Sequence, residues 1–196
     1  MKTKLLLMAI LCMGVVSCKE RAAMSGSPET KSVGEVTPDE RGYIVKVGDM
    51  APDFDIEYLD GTVVKLSSLR GRLVMLQFTA TWCSVCRKEM PHIEAEIWQK
   101  HKDNPRFALI GVDYKDDKET TAKFAEDMKI TYPLTLDVLG TKFDLYAPGG
   151  GVTRNIIIDR TGKIIMLTRL FDEEEFNEMV KLIDNYIANE DRQGSC

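Results

Sequence analysis

Histidine is scarce in this chain of 196 residues, with only His92 and His101, and a second closely spaced cysteine pair is missing. Structural zinc usually takes four Cys or His ligands from two such pairs, so the single pair Cys83 and Cys86 does not read as a metal site. Basic clusters interleaved with aromatics are absent as well. With 31 acidic against 26 basic residues, the chain carries a net charge of −5, which argues against a nucleic-acid partner. No internal repeat is present. The apolar run at the amino terminus, Leu5 to Met13, is too short to span a bilayer.

That run follows Lys2 and Lys4 and leads into Val15-Val16-Ser17-Cys18, so it reads as the core of a cleaved signal peptide. Its end also resembles a bacterial lipobox, which implies cleavage before Cys18 and a lipid on that cysteine. An ordinary signal peptide with an incidental cysteine is the alternative. Either reading exports the chain to a compartment that permits disulfides. Losing Lys2 and Lys4 brings the net charge to about −7. Of the five cysteines, Cys12 is discarded with the leader, Cys18 takes the lipid, and Cys196 is left as the odd thiol of a polar tail.

Composition, at 44% hydrophobic and 29% charged, fits one globular domain with a proper core. The expected organisation is a signal peptide over 1–17, a Ser-, Glu-, Lys-, Gly- and Pro-rich tether over 18–42, a domain over 43–190 and a tail over 191–196. Within the domain, Leu73 to Thr79 is short, β-prone and almost wholly apolar, as a central parallel strand is. Upstream, Phe54, Ile56 and Tyr58 alternate with polar residues before Asp60-Gly61, a hairpin turn leading to Val63, Val64 and Leu66. Phe107 to Val112 reads as a second buried strand. Asp117 to Met128 reads as an amphipathic helix. Asn155 to Ile158 and Lys163 to Leu167 flank the turn Asp159-Arg160-Thr161-Gly162. Asp172 caps a last helix with the stripe Phe176, Met179, Val180, Ile183 and Ile187. The pattern predicts an α/β domain with a mixed central sheet, helices on both faces and an N-terminal β-hairpin.

Chemistry concentrates at Trp82-Cys83-Ser84-Val85-Cys86, where the central strand gives way to a helix. Unpaired N–H groups and the macrodipole at a helix N-terminus favour an anion, so Cys83 is the expected nucleophilic thiolate. Cys86, one turn further, is placed to resolve a mixed disulfide. A half zinc site and a merely structural disulfide are the competing readings. Pro91 lacks an N–H and should kink the helix.

Val47 to Ile187 resembles the thioredoxin-fold proteins of the TlpA/ResA type, within the wider redoxin superfamily of alkyl hydroperoxide reductases and thiol-specific antioxidants. The resemblance is carried by Gly48-Asp49-Met50-Ala51-Pro52-Asp53-Phe54, Leu66-Ser67-Ser68-Leu69-Arg70-Gly71 and the stretch from Phe78 through Pro91. It implies a thioredoxin-like fold and a dithiol-disulfide oxidoreductase that reduces other exported proteins, with their oxidation as the alternative, recharged by an upstream electron donor and needing no nucleotide or metal cofactor. The resemblance also points to Glu89 as a glutamate near the thiols and a candidate for proton transfer. A solvated surface carboxylate is the alternative. Gln77 stands where thioredoxin carries a buried acid, and an amide cannot take a proton from Cys86. Trp82 would shield the disulfide and offer an apolar contact to a partner polypeptide.

The sequence departs from the family at Thr153, where thioredoxin-like oxidoreductases carry a cis-proline. Val152 and Thr153 are therefore expected to line the substrate-docking edge without the usual proline. Peroxiredoxins share the fold, lack that proline and use a nearby arginine, so Arg154 is a possible auxiliary to a thiol peroxidase activity. Against this, no proline precedes Thr79 and Thr81 in the peroxiredoxin pattern. A non-catalytic, lipid-tethered binding module is the third reading. The expected location is the cell envelope, lipid-anchored to the inner or outer membrane and facing the periplasm.

Overall fold

The computed structural model describes residues 37–193. The expected leader over 1–17, the expected tether as far as residue 36, Cys18 and Cys196 lie outside the described residues. The first two strands, β1 (Asp55–Glu57) and β2 (Val63–Lys65), pair antiparallel as the expected hairpin. Gly61 turns it at φ +88°, a conformation that glycine adopts without a Cβ penalty.

The main sheet is built on β3 (Leu73–Thr79), all seven of whose residues are buried. Such a strand must be covered on both faces, which explains its near-continuous apolar run. β4 (Phe107–Tyr114) and β5 (Leu134–Asp137) extend it in parallel on one side. β6 (Arg154–Ile158) and β7 (Ile164–Arg169) extend it antiparallel on the other, giving the order β5-β4-β3-β6-β7. In register, Gln77 lies between Gly111 and Asn155, and Thr79 lies beside Asp113. Those positions share one face because strand side chains alternate.

Helix α1 (Ser84–His92) packs on that face and contains Pro91. After the proline the helix widens into a π-helical segment, Ile93–Trp98, before closing with α2 (Gln99–His101). A proline leaves a carbonyl of the preceding turn without its N–H, and the wider turn is how this helix absorbs the expected kink. α3 (Lys118–Met128) is capped by Asp117, which accepts the Thr120 N–H at 2.8 Å. It lies against α1, with the Arg87 guanidinium 4.9 Å above the Phe124 ring.

On the opposite face, α4 (Thr141–Asp144) sets Phe143 edge-on to Phe78 at 5.3 Å. Back on the α1 face, α5 (Glu173–Gln193) starts from Asp172, which accepts the Glu175 N–H at 2.9 Å, buries Phe176, Met179, Val180, Ile183 and Ile187, and sets the Phe176 ring 5.8 Å from that of His92 in α1. The helix thus runs past residue 190, where the domain was expected to end. Folded contacts also begin before residue 43. Asp39 accepts the N–H groups of Arg41 and Tyr43, and Arg41 pairs with Glu175 at 2.7 Å.

Candidate active site

Between β3 and α1 the loop is held from two sides. The Thr81 N–H binds the Asp116 carboxylate at 3.0 Å, and its carbonyl accepts from Arg87 Nε at 2.9 Å. Cys83 is then the N-cap of α1, with an extended backbone, and its sulfur accepts the Cys86 N–H at 3.2 Å. One of the orphan donors of the first helical turn is therefore aimed at the sulfur that would carry charge as a thiolate. Cys83 and Cys86 form a disulfide with Cα atoms 5.3 Å apart. Cys83 is 9% exposed and Cys86 fully buried, so an incoming sulfur meets Cys83 first. Trp82 is 63% exposed beside them, free to touch a partner.

Thr153, the residue before β6, closes the site. Its hydroxyl oxygen is 3.1 Å from Cys83 Sγ and 2.9 Å from Cys86 Sγ. The residue has φ +69°, an outlier for a β-branched side chain that costs of order 1–3 kcal/mol. Neighbouring backbone holds it there: the Thr153 N–H donates to the Phe78 carbonyl at 3.1 Å, and the Leu170 N–H donates to the Thr153 carbonyl at 2.8 Å. Val152, expected at a docking edge, has a buried side chain, so its side chain offers no surface to a partner.

Glu89 is not a solvated surface carboxylate. It is 1% exposed, one turn beyond Cys86, and sits between two amides. Asn155 Nδ2 donates to one carboxylate oxygen at 2.7 Å and Gln77 Nε2 to the other at 3.3 Å. Burial pushes the Glu89 carboxyl up to about 7, against the opposing pull of these two hydrogen bonds. Gln77 takes no proton, but it links Glu89 to the Tyr132 hydroxyl, which donates to Gln77 Oε1 at 2.7 Å. Asn155 also donates to Thr168 Oγ1 at 2.9 Å.

Asn155, Tyr132 and Thr168 were not anticipated. Asn155 did carry a signal, as the polar residue opening the otherwise apolar strand Asn155-Ile156-Ile157-Ile158. Asp113 is a further buried acid on the same face, pushed up to about 7 by burial and, less strongly, by Asp116, with Thr121 pulling the other way. Neither of its oxygens has a hydrogen-bond partner among the described residues.

Arg154 goes elsewhere. It alternates with Thr153 and Asn155 along the strand, so its side chain enters the opposite face of the sheet. There its Nε donates to the Gly151 carbonyl at 3.0 Å, and its guanidinium lies 4.3 Å from the Tyr43 ring centroid and 5.8 Å from that of Phe143. Its place behind the sheet removes the ground for an auxiliary role at the sulfur. Among the described residues, no group of three His, Cys, Asp or Glu side chains is gathered to hold a metal ion.

Residues 47–166 match the AhpC/TSA family. The chain is 31% identical over 142 residues to the thiol-disulfide oxidoreductase ResA of Geobacillus thermodenitrificans, spanning 71% of this chain and 79% of that one. It also resembles the solution structure of a proposed protein disulfide isomerase from Bacteroides thetaiotaomicron, with 57% identity and a TM-score of 0.72 over 74% of this chain and 92% of that one. A crystal structure of a proposed thiol:disulfide interchange protein DsbE from Chlorobium tepidum matches with 28% identity and a TM-score of 0.62, over 74% and 97% of the two chains. The neighbours carry the same thioredoxin-like architecture, and the Cys83–Cys86 pair at the head of α1 is a dithiol/disulfide placed for thiol-disulfide exchange. On fold, site and sequence together, the chain belongs to the AhpC/TSA family and is a thiol-disulfide oxidoreductase of the ResA/TlpA type.

Proposed function

We propose that this oxidoreductase is exported, held in the cell envelope by a lipid on Cys18, and works as a reductase of disulfides in other envelope proteins. The basic, apolar and small-residue segments preceding Cys18 support export and anchoring. The observation that carries the exchange reading is the buried Glu89 one turn from Cys86, with its carboxyl pushed up to about 7, while the reductase direction is proposed from the likeness to ResA-type proteins. Exchange in either direction moves the proton of the buried resolving thiol once per turnover, and an acid near neutrality is suited to that transfer.

This reading gives the following steps. Cys83 thiolate attacks a substrate disulfide; the Cys83–substrate S–S bond forms, the substrate S–S bond breaks, and the departing thiolate is protonated. Glu89 carboxylate accepts the proton of Cys86. Cys86 then attacks Cys83 Sγ, the intramolecular disulfide forms, and the second substrate sulfur leaves and is protonated. The substrate has gained two electrons and two protons. An upstream dithiol returns the Cys83–Cys86 pair to the reduced state.

Redox titration of Cys83–Cys86 against glutathione tests the direction: a potential below about −200 mV is expected, and one near about −120 mV sinks the reductase assignment. Cys86→Ser should trap Cys83-linked envelope proteins as mixed disulfides. Fatty-acid labelling of the chain, lost in Cys18→Ala, tests the anchor.

A further inference from the structure

We infer that Thr153 is a catalytic residue whose hydroxyl is a shared hydrogen-bond donor, bonding to whichever of the two sulfurs carries the negative charge. The Thr153 oxygen lies within hydrogen-bond reach of both sulfurs, 3.1 Å from Cys83 and 2.9 Å from Cys86. A disulfide has no proton to give, so in the oxidised state the hydroxyl is the donor. It has a single proton and can serve one sulfur at a time. Full burial of Thr153 removes water as a competing partner, and hydrogen bonds to an ionised acceptor are about twice as strong as neutral ones.

The backbone supports a role for the hydroxyl itself. Proline fixes φ near −65°, so the +69° of Thr153 is not a proline loop carrying a different side chain. The left-handed conformation is unfavourable for a β-branched residue and is kept in place by the Phe78 and Leu170 backbone. Strain of this kind, held by its surroundings beside a reactive pair, points to function.

The inference rests on the exchange steps given above and assigns the hydroxyl a place in each. While Cys83 is the thiolate, it receives the Thr153 hydroxyl together with the Cys86 N–H. Once Cys83 is bonded to the substrate sulfur, it is no longer an anion. The hydroxyl then turns to Cys86 as that thiol gives its proton to Glu89. Thr153 loses no proton at any step; its donation lowers the energy of two successive thiolates.

Two measurements on the full chain test this. The pH dependence of Cys83 alkylation by iodoacetamide, read at peptide level, reports the Cys83 thiolate. The release of a chromogenic thiol from a Cys83 mixed disulfide reports Cys86 attack. Thr153→Val keeps the shape and removes the donor; it should move the Cys83 midpoint up by about one pH unit, a tenfold loss of thiolate, and slow release by roughly threefold to tenfold. Thr153→Ser keeps the donor and should stay within about threefold of wild type in both. Thr153→Ala should follow Val, which covers the case in which the valine variant does not fold. An unchanged midpoint in Val and Ala, or equal shifts in Val, Ala and Ser, overturns the assignment. Insulin reduction by the wild-type chain separates the two levels. A wild type that fails to reduce insulin contradicts the exchange steps, whereas a competent wild type with an unmoved Thr153→Val midpoint contradicts only the role of Thr153.

Discussion

Glu89 and Asp113 are both buried carboxyls on the α1 side of one sheet, and burial pushes both up to about 7. Their surroundings differ. Glu89 receives two amide donors, one to each oxygen, and stands a helical turn from Cys86, whereas neither oxygen of Asp113 has a partner among the described residues. Burial is therefore the largest cause that brings each acid towards neutrality, and under the proposed mechanism it is the partners and the distance along the chain from the thiols that distinguish Glu89. Asp113, whose neighbours are Thr121 and Asp116 rather than amide donors, is the case against which Glu89 can be judged.

The sharpest way to break the comparison is kinetic. Glu89→Gln should slow resolution of a Cys83 mixed disulfide about a hundredfold at neutral pH, the scale expected for losing a positioned proton acceptor. Asp113→Asn should change the same rate by less than about threefold. Similar losses in both variants would show that any buried acid on this face matters, and the distinction would fall.

Stability should bring the two together again. Both folded-state values lie above the ordinary values of 4.5 and 3.8, so the folded chain keeps protons that the unfolded chain has already lost. Stability is then highest below about pH 4 as far as these two groups are concerned, and falls as pH rises to about 7. Each contributes on the order of 3 kcal/mol to that fall. Urea unfolding across this range should show a shallower decline in either Glu89→Gln or Asp113→Asn and the shallowest in the double variant.

Much of this architecture was legible in the sequence because it depended on local pattern. The β3 run, the Asp60-Gly61 turn, the Asp172 cap and the apolar stripe of α5 each announce themselves within a few residues. The Cys83–Cys86 spacing did the same for the redox centre. Glu89 was legible only as a candidate, since a carboxylate on a helix gives no sign of burial; that came from the β6 register, which sets Asn155 beside Gln77. Tyr132 and Thr168 are distant in sequence and join the site only through the folded sheet. Arg154 misled for the opposite reason. It adjoins Thr153 in the chain, and strand alternation sends it to the other face.

Smaller effects sharpen the same contrast. Arg154→Met should lower stability by roughly 2 kcal/mol through loss of the Tyr43 stacking and the Gly151 hydrogen bond, measured by thermal unfolding. Peroxide consumption is expected to be no faster than that of free cysteine in the wild type and to be unchanged in the variant. Asn155→Ala removes the closer of the two donors that oppose the upward shift of Glu89, so the inflection it governs should move to higher pH. Tyr132→Phe leaves Gln77 Oε1 buried without its donor, and should cost about 1 kcal/mol while leaving that inflection nearly in place.

The most direct measurement is the pH dependence of thiol alkylation in the reduced protein, comparing wild type with Glu89→Gln. If Glu89 is the proton partner of Cys86, the wild-type profile should contain an inflection near pH 7 that disappears in Glu89→Gln while the variant keeps its fold. An identical profile in the two proteins would contradict the account and remove Glu89 from the mechanism.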